Sequence, residues 1–176
     1  MSWSPEDDDL VVSLRTQDWA IKIDYANGKG NGHVVWKLGA GGNFKAIANT
    51  SQPWFSHQHD VHYINDTTLL VFDDGNTRQA SDPSAHSRGQ EWILNEQNMT
   101  ATLVVNADMG NYSSFLGSSE LLPNGNLAFT SGGLANSTGQ SIEVLPNGTR
   151  IYAQQISELE YRSYFESTLY SADLLD

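Results

Sequence analysis

Thr68-Leu69-Leu70-Val71-Phe72 contains the longest unbroken aliphatic and aromatic run of the chain, and two other segments begin in the same way. Asp9-Leu10-Val11-Val12 precedes it and Asn126-Leu127-Ala128-Phe129 follows it, so that Leu10, Leu69 and Leu127 are spaced by 59 and 58 residues. Each opens a block of polar turn, apolar strand, variable loop and further strand. A repeat of this length with about four short strands has the size of one propeller blade. The fold expected is therefore all-β: a single partial β-propeller domain over residues 1–176. It has about three four-stranded blades, roughly 1–50, 51–110 and 111–157, and an extra strand over 158–172. A meander sandwich built from the same hairpins is the rival.

Working outward, the same short β-rich runs recur at hairpin spacing: Leu10 to Leu14, Trp19 to Ile23, Val34 to Leu38, Thr67 to Phe72, Thr102 to Val105, Asn126 to Thr130 and Ile151 to Ala153. Asn27-Gly28, Asn31-Gly32, Asp74-Gly75-Asn76, Pro123-Asn124-Gly125 and Pro146-Asn147-Gly148 supply turns between them. Gly, Asn, Ser and Thr make up 59 of 176 residues, and no window of eleven carries helical apolar spacing, so helix is the minority state. The first block shows no innermost strand before Leu10. Three blades cannot close a ring, and an open arc leaves strand edges bare. The chain is thus expected to be a fragment, its ring completed by missing blades of the same chain or by a second copy in a homodimer.

The formal charge of −12, from 21 acidic and 9 basic residues, leaves no basic track for phosphates and argues against nucleic acid as a partner. Leu69 to Phe72 is far too short to span a bilayer, so no membrane insertion is expected. Cysteine is absent, which excludes disulfides, thiolate metal sites and cysteine nucleophiles. Six Asn-x-Ser/Thr triplets, at Asn49, Asn65, Asn98, Asn111, Asn136 and Asn147, exceed the two or three expected by chance at this composition and point to a secreted glycoprotein. A turn-rich chain also collects such triplets without using them.

Chemistry concentrates in Trp54-Phe55-Ser56-His57-Gln58-His59-Asp60-Val61-His62-Tyr63, which holds three of the five histidines. Strand alternation places His57, His59 and Val61 on one face and Gln58, Asp60 and His62 on the other. Three readings are open. A metal site needs a different spacing of Asp and His, and neither metal nor other cofactor is expected. Structural histidines bonded to backbone carbonyls are the bland reading. The third makes one neutral imidazole a nucleophile. Asp60 reads as a carboxylate that bonds backbone amides or orients a neighbouring imidazole. Asp73 and Asp74 read as turn formers beside Gly75.

Trp36-Lys37-Leu38-Gly39, Phe55-Ser56-His57-Gln58-His59-Asp60, Leu70-Val71-Phe72-Asp73-Asp74-Gly75-Asn76, and Glu160-Tyr161-Arg162-Ser163-Tyr164 with Leu169-Tyr170 occur in that order. Together they resemble the arylsulfotransferase family over nearly the whole chain. The resemblance implies a six-bladed propeller that moves a sulfuryl group from a phenolic sulfate ester to another phenol, without a nucleotide donor, through a sulfated histidine. It assigns the nucleophile to His59, the histidine after Gln58. It assigns the channel arginine to Arg15 in Ser13-Leu14-Arg15-Thr16-Gln17, with Thr16 where the commonest form has His. The family's other channel histidines fall upstream of Met1. Substrate contacts are then expected from His57 on the His59 face, from Arg78 as a second cation or else a solvated loop residue, and from Trp54, Phe55 and Tyr63 as a wall for a phenol ring or else as packing. The alternative function is a non-catalytic propeller that binds a small aromatic or a protein.

Overall fold

The computed structural model describes residues 1–135 and 138–157. Their strands form three separate antiparallel meanders. The first sheet runs β1 (Ser2–Trp3), β2 (Leu10–Leu14), β3 (Trp19–Ile23) and β4 (Val34–Leu38), in that order across the sheet. In the second, β6 (His59–Tyr63), β7 (Thr68–Asp73), β8 (Arg88–Asn95) and β9 (Thr100–Asp108) follow the same plan, and β5 (Lys45–Ile47) adds in parallel to β9 at the edge. The third holds β10 (Gly117–Leu121), β11 (Leu127–Ser131), β12 (Thr138–Val144) and β13 (Arg150–Ser157). The only α-helix among the described residues is α1 (Asn76–Ser81). The fold is all-β, and Leu10, Leu69 and Leu127 all lie in the second strand of their sheet.

Two expectations change. The first block does have a strand before Leu10: Ser2 and Trp3 pair with Val11 and Leu10. The connecting turn closes because Asp8 adopts a left-handed φ of 60° while Ser4 N–H donates to the Asp9 carbonyl at 2.8 Å, a conformation that a composition rich in polar turn residues hides. Lys45–Ile47, inside the 1–50 block, hydrogen-bonds to the second sheet rather than the first. The strand expected over 158–172 and the triplet at Asn136 lie outside the described residues.

The second sheet is sandwiched by the other two, and β7 shows how. All six of its residues are buried. Leu69 and Val71 face the first sheet, in a core with Val11, Ala20, Trp36 and Leu38. Leu70 and Phe72 point the opposite way, into a core with Leu127, Phe129, Ile142 and Val144 of the third sheet. Alternation along one strand thus feeds two cores, which is why its apolar run is continuous.

Sheet two meets sheet three through rings lying on glycines. Phe72 packs over Gly117 of β10, and Phe129 packs over Gly89 of β8, so that a methyl group at either glycine would lie inside the facing ring. Because both partners are backbone or rigid aromatic, neither side can yield easily. Gly117→Ala should therefore destabilise the fold by about 1–3 kcal/mol, the usual range for overpacking. Urea unfolding of the variant checks this, and an unchanged midpoint would refute the close approach.

Candidate functional site

The conspicuous His59 is placed by clamps on either side of it. Before it, the Gln58 amide donates to Ser13 Oγ at 3.1 Å and to the Trp19 carbonyl at 2.9 Å, which ties the entry of β6 to the first sheet. After it, Asp60 Oδ2 accepts the Ser119 N–H at 2.8 Å and its carbonyl accepts Ser119 Oγ at 2.9 Å, which ties β6 to the third sheet. The expected alternation does not hold here. His57 has a φ of 52° and precedes the strand, and Asp60 has a φ of 49° at an irregularity between His59 and His62. The bulge re-aims the side chains around it, as bulges do next to functional sites.

Arg15 reaches His59 from a 3-10 turn, Arg15–Gln17, that follows β2. Its Nε lies 3.2 Å from His59 Nε2. The Leu116 backbone N–H, presented at a φ of 62°, donates to the same nitrogen at 3.1 Å. Two N–H donors on one ring nitrogen require an unprotonated Nε2 and so assign the ring proton to Nδ1. Arg15 Nη2 donates to Asp74 Oδ2 at 3.1 Å and to the Ser114 carbonyl at 2.7 Å. The His59 and Arg15 side chains are 25% and 34% exposed, and Asp74 is fully buried. The arrangement can hold an anion beside a neutral, unprotonated imidazole nitrogen at the junction of all three sheets.

Asp73 and Asp74 are not simple turn formers. Asp73 closes β7 as a buried carboxylate whose Oδ2 accepts Arg78 Nη1 at 2.7 Å and Arg88 Nε at 2.8 Å, while Oδ1 accepts the Ser56 N–H at 2.9 Å. Burial pushes the Asp74 carboxyl above the usual range, and the neighbouring His59 and Arg15 only partly offset it. Sequence reasoning also passed over Leu116, Ser114 and Tyr112. Tyr112 lies within electrostatic range of Asp74 and Arg15, and burial raises its phenol. Backbone donors carry no sequence signal, but two aspartates at the end of the most apolar strand were a readable one.

The other expected residues scatter. Arg78 is neither solvated nor free, because its guanidinium is held by Asp73 and, at 2.7 Å, by the His86 carbonyl. Asp18 binds the His57 N–H at 2.7 Å and lies 3.1 Å from its Nδ1. Trp54 stacks on Trp92 at 4.9 Å and meets Phe55 edge-on. Trp54, Phe55, Pro53, Thr77 and Arg78 help line an apolar cleft of about 370 Å³. Tyr63 stands at the far end of β6 from His59, donating to Glu96 at 3.0 Å beside the buried Lys22, which Asp7 and Glu96 pair.

Compared with known proteins, the chain matches the model of the arylsulfotransferase (ASST) family over residues 1–172. No curated protein matches it.

The Asp60 latch titrates. Burial alone would raise Asp60 and lower His62, but their mutual hydrogen bond and charge prevail, together with the Ser119 amide on Asp60, so Asp60 is lowered and His62 raised. The raised His62 contributes stability that is complete below the free imidazole value of 6.5 and is lost as pH rises through its folded value. The lowered Asp60 contributes above 3.8, with loss as pH falls through its folded value. A His62→Gln variant should thus show its largest deficit relative to the native chain between those two limits, vanishing in alkali. Thermal melts across pH check this, and a deficit independent of pH would refute the ion pair.

Proposed function

Since the chain belongs to the arylsulfotransferase family, we propose that it transfers a sulfuryl group from an aryl sulfate to a phenol through His59, with its three sheets as successive blades of a larger propeller. The observation that carries the reading is the convergence of Arg15 Nε and the Leu116 N–H on His59 Nε2, at 3.2 and 3.1 Å.

In the first half-reaction the Nε2 lone pair attacks sulfur, the bond from sulfur to the ester oxygen breaks, and the aryloxide leaves and takes a proton from solvent. Arg15 and the Leu116 amide exchange the nitrogen for the sulfuryl oxygens, which carry the negative charge throughout. In the second, a phenol gives up its proton to solvent as its oxygen attacks sulfur, and the bond from sulfur to Nε2 breaks. The Trp54 and Phe55 cleft is apolar and suits an aryl ring, with Arg78 in its lining and His57 next in the chain after Ser56, which also lines it. Further blades of the same chain or a second copy would complete the ring. The exposed triplet asparagines Asn49, Asn65, Asn98 and Asn147 support a secretory route, whereas the Asn111 amide is engaged by Gln140.

Mixing the protein with 4-nitrophenyl sulfate, with no acceptor present, should release phenol in a burst stoichiometric with protein and leave one sulfuryl group on His59, seen by mass spectrometry. His59→Ala should abolish the burst. Arg15→Lys, which loses the planar fork, should slow it on the order of 10²-fold or more. A native chain that gives no burst, or a His59→Ala chain that keeps it, would overturn the reading.

A further inference from the structure

We propose that Asp74 is a positioning residue that aims Arg15 at His59 Nε2, and that its charge sets the pH at which His59 becomes a nucleophile. The inference rests on the sulfuryl-transfer reading above.

Asp74 Oδ2 lies 3.1 Å from Arg15 Nη2 and 3.3 Å from His59 Nε2, so one carboxylate oxygen touches both members of the pair. Its backbone is fixed, since its carbonyl accepts Ser87 Oγ at 2.8 Å. The Ser114 carbonyl takes a second bond from the same Nη2 at 2.7 Å. A guanidinium is a rigid planar fork, so pinning one corner between two oxygens orients the whole group. The remaining edge presents Nε to the imidazole. Asp74 is the only one of these partners whose charge can change that arrangement.

Its second oxygen, Oδ1, is buried without a hydrogen-bond partner. A buried ionised oxygen left unpaired is costly, and protonation relieves that cost. The raised proton affinity of the Asp74 carboxyl agrees with this. The charged and titratable groups that face it are Arg15 from the 3-10 turn, His59 from β6 and Tyr112 from the segment before β10. Arg78 and Arg88 are engaged by Asp73 instead.

A negative charge 3.3 Å from the imidazole favours its protonated form, in which Nε2 has no lone pair to offer. Neutralising Asp74 should extend the nucleophilic form of His59 to lower pH. Neutralising Arg15 should do the opposite. A merely structural aspartate would leave the His59 midpoint unmoved when it is neutralised.

The test follows the His59 ring signals by NMR against pH in the native chain, in the nearly isosteric Asp74→Asn variant and in Arg15→Gln. The midpoint should fall by about half a unit or more in Asp74→Asn and rise in Arg15→Gln, as expected for single charges in contact with the ring. With 4-nitrophenyl sulfate and a phenol acceptor, the acid limb of kcat/KM should follow the NMR midpoint. In Asp74→Asn, kcat should drop about tenfold and KM should change much less, the pattern of a misaimed transition-state donor. Unmoved midpoints in the variants would overturn the proposal. Absence of turnover in the native chain would overturn the transfer reading alone, because the NMR midpoints still decide what Asp74 does. Should Asp74→Asn fail to fold, Asp74→Ser, which also removes the charge and keeps a polar oxygen, is read in the same way: its His59 midpoint should fall, and an unmoved one would overturn the proposal.

Discussion

Burial of β7 on both faces is the constraint from which the rest of the structure follows. A strand held between two cores carries its last residue and the one after it inward as well, and here those residues are Asp73 and Asp74. Carboxylates taken out of water need donors. Asp73 finds them in Arg78, Arg88 and the Ser56 amide, and Asp74 finds one in Arg15. Removing Asp73 would strand two guanidinium groups at a cost of about 3–5 kcal/mol, the scale for breaking a buried pair from one side. The cation brought in to satisfy Asp74 is the same one that faces His59. Packing and site chemistry thus share one strand end.

No single sheet contains the site. Arg15 comes from the first, His59 and Asp74 from the second, and the Ser114 carbonyl and Leu116 amide from the approach to the third. Geometry at a hydrogen bond is exacting to a few tenths of an ångström, so the spacing of the sheets has to be equally well set. Gly117 connects the two scales. It immediately follows Leu116, and its bare backbone lets β10 settle against the Phe72 ring. A side chain there would lift β10 from the second sheet and carry the Leu116 N–H away from Nε2. The inter-sheet core is in this sense part of the site.

The sequence showed those strands that announce themselves by apolar or β-branched runs, and the 58-residue recurrence located the same strand in all three sheets. It did not show β8 or β12, because they carry Gln90 and Gln140 at buried positions. Those amides are satisfied internally, Gln90 by the Pro53 carbonyl and Asn106, and Gln140 by Asn111 and the Met109 carbonyl. A buried polar strand looks like a loop until its partners are known. At the site, the family resemblance paired His59 with Arg15, 44 residues apart, and the fold brings them into contact. The faces assigned to His57 through His62 were wrong because a bulge is a backbone event with no side-chain signature. Leu116 contributes only an amide, which any residue possesses.

The resting arrangement bears on the order of events in the proposed reaction. His59 Nε2 is occupied by two N–H donors, so any ligand must displace them before the nitrogen can attack. A neutral phenol offers these donors nothing better than the imidazole already does. A sulfate ester brings charged oxygens, and hydrogen bonds to ionised acceptors are roughly twice as strong as those between neutral groups. The exchange is therefore favourable for the anionic ester and close to indifferent for the phenol. Since the displaced donors move onto the group being transferred, the interaction that uncovers the nucleophile also holds the charge of the transition state. A lone pair guarded in this way opens to the sulfuryl donor first, and the acceptor phenol enters after the sulfuryl group has left its ester.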